Sequence, residues 1–185
     1  MSAAALIGVD WGTSSFRGYL IDGQGAVLDR VVAPAGILAV PAGGFEAALV
    51  RLLEPWLAAH PHLPVLLSGM VTSRQGWLEL PYLACPASPD RLAAALCALT
   101  LGDGRQVRLV PGLSTRRLDG LPDVLRGEET QILGALALAP TARTLLLPGT
   151  HSKWVSVEGG VVRAFWTFMT GELWAVLKDY SILGR

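Results

Sequence analysis

Apolar residues from Ala4 to Val9 run into Asp10 and a Gly/Ser/Thr-rich turn, and two further apolar-rich segments follow at Phe16 to Ile21 and Ala26 to Ala33. Asp22-Gly23-Gln24-Gly25, between the second and third, is a short Gly-bearing connection of the kind hairpins use. The chain is therefore predicted to open with three antiparallel strands. From Gly44 the spacing changes: Phe45, Leu49, Leu52, Leu53 and Trp56 repeat at helical intervals until His60-Pro61. This predicts one amphipathic helix with Pro55 near its last turn.

Val65, Leu66 and Leu67 read as a short buried strand entering Ser68-Gly69-Met70-Val71-Thr72-Ser73, and small polar residues after a strand make a natural site loop in an open α/β sheet. Leu92 to Leu99 is predicted as a second helix, Val107 to Val110 as a strand, and Gly127 to Leu138 as a third helix that Thr130, Gly134 and Ala135 keep slim. Strand and helix alternate, which points to an α/β layered domain.

After Pro140 an apolar strand, Thr144 to Leu147, enters Pro148-Gly149-Thr150-His151-Ser152-Lys153, leaves from Trp154 to Val157, and turns at Glu158-Gly159-Gly160 into Val161 to Thr167. The order strand, Gly-Thr turn, strand, turn, strand repeats that of the first residues. Two such hairpins facing each other would clamp a polyphosphate. A last helix is expected after Thr170, with Leu173, Val176 and Leu177. The repeat places a lobe boundary between residues 1–140 and 141–185.

Composition narrows the picture. Half of the 185 residues are apolar, 51%, and 16% are charged, so the chain can bury a real core. Fifteen acidic residues balance fifteen basic ones, and no Lys/Arg cluster is interleaved with aromatics, which argues against nucleic acid as a partner. The first apolar run lacks a basic start and reaches Asp10 too soon for a signal peptide, and no stretch is apolar for the length of a membrane span. A cytoplasmic protein with no membrane partner is expected. Cys85 and Cys97 have neither zinc nor redox spacing and are expected to be reduced packing residues.

The chemistry gathers at the turns. In Asp10-Trp11-Gly12-Thr13-Ser14-Ser15-Phe16-Arg17, Gly12 removes a side chain where phosphate would approach, Thr13 and Ser14 offer donors, and Arg17 adds charge. Asp10, at a strand end, is placed to hold hydrated Mg²⁺, an ion that keeps several waters and takes one or two carboxylates. The later turn has the same logic, with Gly149 for approach, Thr150 and Ser152 as donors and Lys153 as a point charge. His151 is a candidate contact to phosphate or substrate. This is not a Walker A loop, because Trp154 continues into a strand rather than a helix. Between the two turns, Arg126-Gly127-Glu128-Glu129 puts two carboxylates at a helix start, where one would accept a hydroxyl proton or both would simply stabilise the first turn.

Five blocks in order, D-W-G-T-S-S-F-R, S-G-M-V-T-S-R-Q-G-W-L-E-L-P-Y, L-R-G-E-E-T-Q, L-P-G-T-H-S-K-W-V and F-M-T-G-E-L-W, resemble the 2-dehydro-3-deoxygalactonokinase family. The family belongs with the sugar kinases, hexokinases, actin and Hsp70-type ATPases. The resemblance implies a ribonuclease-H-like (actin-like ATPase) lobe with a mixed sheet over 1–140, and the opening strands of a second such lobe over 141–185. It implies ATP with Mg²⁺, and phosphorylation of 2-dehydro-3-deoxy-D-galactonate at its 6-hydroxyl. Asp10, Gly12, Thr13, Ser14 and Arg17 would form the first phosphate loop, and Gly149, Thr150, His151 and Lys153 the second. The general base falls on Glu128, with Glu129 beside it as the alternative.

The sugar acid carries a carboxylate, so its pocket calls for a cation, with Arg74 and Arg126 as candidates beside Ser73. Trp77 and Tyr82 would wall that pocket or pack in the core. The family's second lobe continues past residue 185 with the loop that holds adenosine, so the polypeptide as given is expected to bind ATP weakly and to turn over negligibly. Two other readings stay open: a kinase for another sugar or polyol, and a non-catalytic nucleotide or sugar sensor of the same fold.

Overall fold

The computed structural model describes residues 2–117 and 119–184. Strands β1 (Ala4–Trp11), β2 (Phe16–Asp22) and β3 (Val27–Ala33) form the expected meander, followed by α1 (Phe45–Ala59) and β4 (Val65–Ser68). Then come β5 (Leu83–Ala84), α2 (Pro89–Ala94), β6 (Cys97–Thr100), β7 (Gln106–Leu109), β8 (Leu113–Arg116) and β9 (Pro122–Leu125). The remainder is α3 (Glu128–Leu138), β10 (Thr144–Leu147), β11 (Ser152–Glu158), β12 (Val161–Phe168) and α4 (Gly171–Tyr180).

The single helix expected from Leu92 to Leu99 is corrected: α2 stops at Ala94 and residues 97–100 are a strand. Its partner is β7, antiparallel, with Thr100 opposite Gln106. Leu101-Gly102-Asp103-Gly104 makes the turn, closed by the Gly104 N–H on Leu101 O at 2.9 Å. Two short apolar segments around a Gly-Asp-Gly connection are a hairpin signal, and it overrides the helical propensity of the Ala-Leu run.

By contact the chain divides into two compact units, residues 1–81 with 94–112, and residues 82–93 with 113–185. The contacts thus do not divide the chain at residue 140; residues 113–140 pack with the second unit.

The first unit holds a six-stranded mixed sheet in the order β3-β2-β1-β4-β7-β6. β1, β4 and β7 run parallel, while β2, β3 and β6 run against their neighbours. α1 is the crossover that returns the chain from β3 to β4 beside β1, and it lays Phe45, Leu49, Leu53 and Trp56 on the sheet. Trp11 is fully buried, edge-on to Phe16 at 5.0 Å and to Phe45 at 5.5 Å, and Phe45 stacks on Trp77 at 6.1 Å. Each such aromatic or aliphatic side chain contributes about 1.5–3 kcal/mol on burial. Trp77 therefore packs on the core rather than lining a pocket. Pro55 lies inside α1 one turn from its end, on the exposed side where a lost N–H bond matters least.

The second unit contains two three-stranded sheets, β10-β11-β12 and β5-β8-β9. Ala87 and Val162 exchange both backbone bonds at 2.9 Å, and the Asp123 carboxylate accepts from the Thr167 N–H at 2.8 Å and from its hydroxyl at 2.7 Å. These contacts tie β12 to the smaller sheet. Val155, Val157, Val162 and Phe165 fill the interior of the hairpin sheet.

Candidate active site

In the first unit the polar residues collect at the carboxyl ends of the parallel strands, the place where open α/β sheets bind ligands. Asp10 is the last residue but one of β1, opposite Arg17 on one side and Ser68 on the other. Arg17 Nη1 donates to Asp10 Oδ2 at 3.0 Å, a half-exposed pair worth at most about 1 kcal/mol. After β4 the backbone swings through Gly69 at φ +94, and a Cβ there would stand 2.8 Å from Trp11 O and 3.0 Å from Asp10 Oδ1. Glycine is what lets the Ser68–Ser73 loop close on Asp10.

The Gly12–Ser15 turn is closed by the Gly12 N–H on Ser15 O at 2.9 Å and leaves Thr13 and Ser14 exposed. A segment that sequence reasoning passed over supports it from behind. Ile37 N–H donates to Gly12 O at 3.0 Å, Leu38 N–H to Thr13 O at 3.3 Å, and the Trp11 indole N–H to Ala35 O at 2.8 Å. Ser73 is buried with its hydroxyl donated to Met70 O at 2.7 Å, so it serves the loop's own turn; Arg74 beside it is exposed.

In the second unit, α3 is preceded by its cap residue Gly127, which takes φ +102. Both acids that follow reach back to the helix start: Glu128 Oε2 accepts the Arg126 N–H at 3.0 Å and Glu129 Oε2 the Gly127 N–H at 2.7 Å. Beyond that they differ. Glu129 is 1% exposed and its Oε1 has no hydrogen-bond partner among the described residues. Burial pushes its carboxyl up to about 8, with the charge of Glu128 adding and the backbone N–H groups of Glu129 and Gly127 opposing. Glu128 keeps a quarter of its side chain open, and its Oε1 lies 4.0 Å from Lys153 Nζ. Arg126 lays its guanidinium over the Tyr82 ring, 4.3 Å from the centroid. Tyr82 is 41% exposed, so it carries that cation rather than the core.

Lys153 itself is 7% exposed on β11, one residue past the Gly149–Ser152 turn. Two of the turn's side chains already have partners: His151 Nε2 meets Glu172 Oε2, and Ser152 Oγ meets Thr170 Oγ1. Gly149 and Thr150 are exposed. Of the two cysteines, both free thiols, Cys85 is pushed up to about 11 by burial, which suits an inert packing role. Among the described residues no cluster of three or more His, Cys, Asp or Glu side chains could cage a metal, and no helix is long and apolar enough to cross a membrane.

Solved structures define the class. Two crystal structures of the Ppx/GppA family from Aquifex aeolicus superpose with TM-scores of 0.50 and 0.52 at 12% and 11% identity, covering 92% and 94% of this chain and 53% and 55% of theirs. Likeness at that identity speaks for the fold, the actin-like ATPase kind with its mixed sheet. A crystal structure of a Sinorhizobium meliloti protein, provisionally called a 2-dehydro-3-deoxygalactonokinase, superposes with a TM-score of 0.83 at 41% identity over 97% of this chain and 59% of that one.

The sequence pattern of the 2-keto-3-deoxy-galactonokinase family matches residues 10–185, and the chain belongs to that family. A probable 2-dehydro-3-deoxygalactonokinase of Rhizobium meliloti (strain 1021) is 42% identical over 178 residues, 96% of this chain and 57% of the relative. The 2-dehydro-3-deoxygalactonokinase of Escherichia coli (strain K12) is 35% identical over 181 residues, 98% of this chain and 59% of the relative. The chain thus spans less than three fifths of the length of the curated relatives it matches.

Proposed function

We propose that this chain carries phosphate-binding and base residues of an ATP-dependent kinase that phosphorylates 2-dehydro-3-deoxy-D-galactonate at the 6-hydroxyl, giving 2-dehydro-3-deoxy-6-phospho-D-galactonate, in the cytoplasm. The observation that carries the reading is the Glu128–Lys153 approach at 4.0 Å. A partly open carboxylate suits the proton of an attacking hydroxyl, and a buried ammonium beside it suits an oxygen of the phosphoryl group that hydroxyl attacks. Glu128 is the base in this reading. Glu129 is too buried to meet a substrate and holds its proton at neutral pH.

Asp10 fits Mg²⁺: it is a single carboxylate near a strand end, where a Cβ on Gly69 would crowd its Oδ1 at 3.0 Å, and Mg²⁺ asks for one or two carboxylates plus waters and phosphate oxygens. Bound there, the ion would neutralise charge on the phosphate oxygens. Thr13 and Ser14 in the first unit, and Gly149 and Thr150 in the second, expose backbone and hydroxyl groups suited to phosphate. Arg126, held over Tyr82, suits the sugar-acid carboxylate.

The test is a coupled assay for ADP release on the polypeptide encoded from the gene's start codon to its stop codon. Turnover is expected with the 2-keto-3-deoxy sugar acid and not with the neutral sugar of the same length. ADP release indifferent to the carboxylate would move the substrate to another sugar or polyol, and none at all would leave a binding protein.

A further inference from the structure

The block F-M-T-G-E-L-W has no part in the chemistry proposed above, yet its middle residues close on the second turn. The Gly171 N–H donates to Gly149 O at 3.2 Å and the Glu172 N–H to Thr150 O at 3.1 Å. Thr170 Oγ1 lies 3.3 Å from Gly149 O and also meets Ser152 Oγ, while the Glu172 carboxylate takes His151 Nε2. Every residue from Gly149 to Ser152 is thus held by a residue between Thr170 and Glu172. The approach is close enough to require glycine: a Cβ on Gly171 would stand 2.7 Å from Gly149 O and 3.1 Å from Thr150 Cα.

We infer that Thr170, Gly171 and Glu172 form a latch that sets the shape of the Gly149–Ser152 turn, and that they are positioning residues for phosphate binding rather than supports of the core. The inference rests on the kinase reading for the identity of the ligand. The latch residues do not belong to the buried core. None of the residues of α4, which these contacts anchor, is buried. Among the described residues the start of α4 is seated on this turn by polar contacts. The hydroxyls give a direction as well: with Thr170 donating to Gly149 O, Ser152 donates to Thr170, so its proton is turned to the latch. That leaves backbone N–H groups, the exposed Thr150 hydroxyl and Lys153 as the donors toward a phosphate.

The experiment uses the start-to-stop polypeptide, with Thr170→Val, Thr170→Ser and Gly171→Ala, and with Glu158→Gln, which removes a surface pair with Arg163 at 2.9 Å, as control. Amide hydrogen exchange at Gly171 and Glu172, MgATP affinity by calorimetry and the melting temperature are read for each. Thr170→Val is expected to speed exchange at both amides and to weaken MgATP roughly tenfold, the scale of one or two lost hydrogen bonds. The melting temperature should hold, Thr170→Ser should restore both readings, and Gly171→Ala should weaken MgATP at least as much.

Exchange unchanged in Thr170→Val would overturn the latch. Faster exchange with MgATP affinity intact would overturn its positioning role. A parent protein that does not bind MgATP at all would sink the kinase reading separately, and the exchange arm would still decide whether the latch exists.

Discussion

Lys153 Nζ stands 4.0 Å from Glu128 Oε1, at a distance where an ion pair is loose and a third charged group can still enter. At an effective dielectric of about 20 the attraction is about 4 kcal/mol, before the larger loss of hydration that a nearly buried ammonium suffers. A phosphate oxygen would offset that loss.

Glu128→Gln should therefore lower turnover by about a hundredfold or more, the range for a lost general base, while MgATP affinity stays within a few-fold. Lys153→Met should do the reverse and raise the KM for ATP most. Steady-state kinetics with calorimetry on the start-to-stop polypeptide check both, and full turnover in Glu128→Gln would remove it as the base.

Glu129 makes stability depend on pH. Its carboxyl ionises near 4.5 in the unfolded chain and near 8 when buried, so between those values only the folded state keeps the proton. Stability should fall as pH rises through that window, by up to about 1.4 kcal/mol per unit, and level off above it. Glu129→Gln, which keeps the shape without the charge, should flatten the profile. Parallel urea-unfolding profiles of parent and variant from about pH 5 to pH 8 would refute the assignment.

Gly69→Ala combines a φ of +94 with a Cβ 2.8 Å from Trp11 O. Strain of this kind costs about 1–3 kcal/mol. A lower urea midpoint is expected, with weaker MgATP binding because Asp10 Oδ1 is displaced as well.

Arg126 separates the two substrates. Arg126→Lys keeps the charge but loses the planar fork and its stacking on Tyr82 at 4.3 Å. The KM for the sugar acid should rise roughly tenfold with the KM for ATP unchanged. An equal change in both would place Arg126 elsewhere.

The elements that sequence pattern revealed are those whose periodicity is local. β1 and β2 alternate across a sheet with one buried face, α1 carries an apolar stripe, and both hairpins announce their turns with glycine. β6, β8 and β9 are four residues each, too short to show alternation above the background of an apolar chain. The β8–β9 hairpin did carry a signal, Asp119-Gly120, in the connection just before its second strand.

The site was legible as residue types and not as partnerships. Sequence placed Glu128 and Glu129 side by side, but only the fold distinguishes the one facing Lys153 from the one sealed inside. In the same way His151 and Ser152 read as phosphate contacts until Glu172 and Thr170, about twenty positions on, are found bonded to them. Such pairings depend on how β12 returns to β11, which no local spacing encodes.

Gly36 shows what this buttressing demands of the chain. A methyl on it would stand 2.3 Å from Thr13 O and 2.4 Å from Ser14 N, inside the backbone of the turn it supports. The freedom to vary is therefore withdrawn from a residue that touches no reactant, and a saturation survey of this region should find alanine at 36 as poorly tolerated as a change at Asp10 itself.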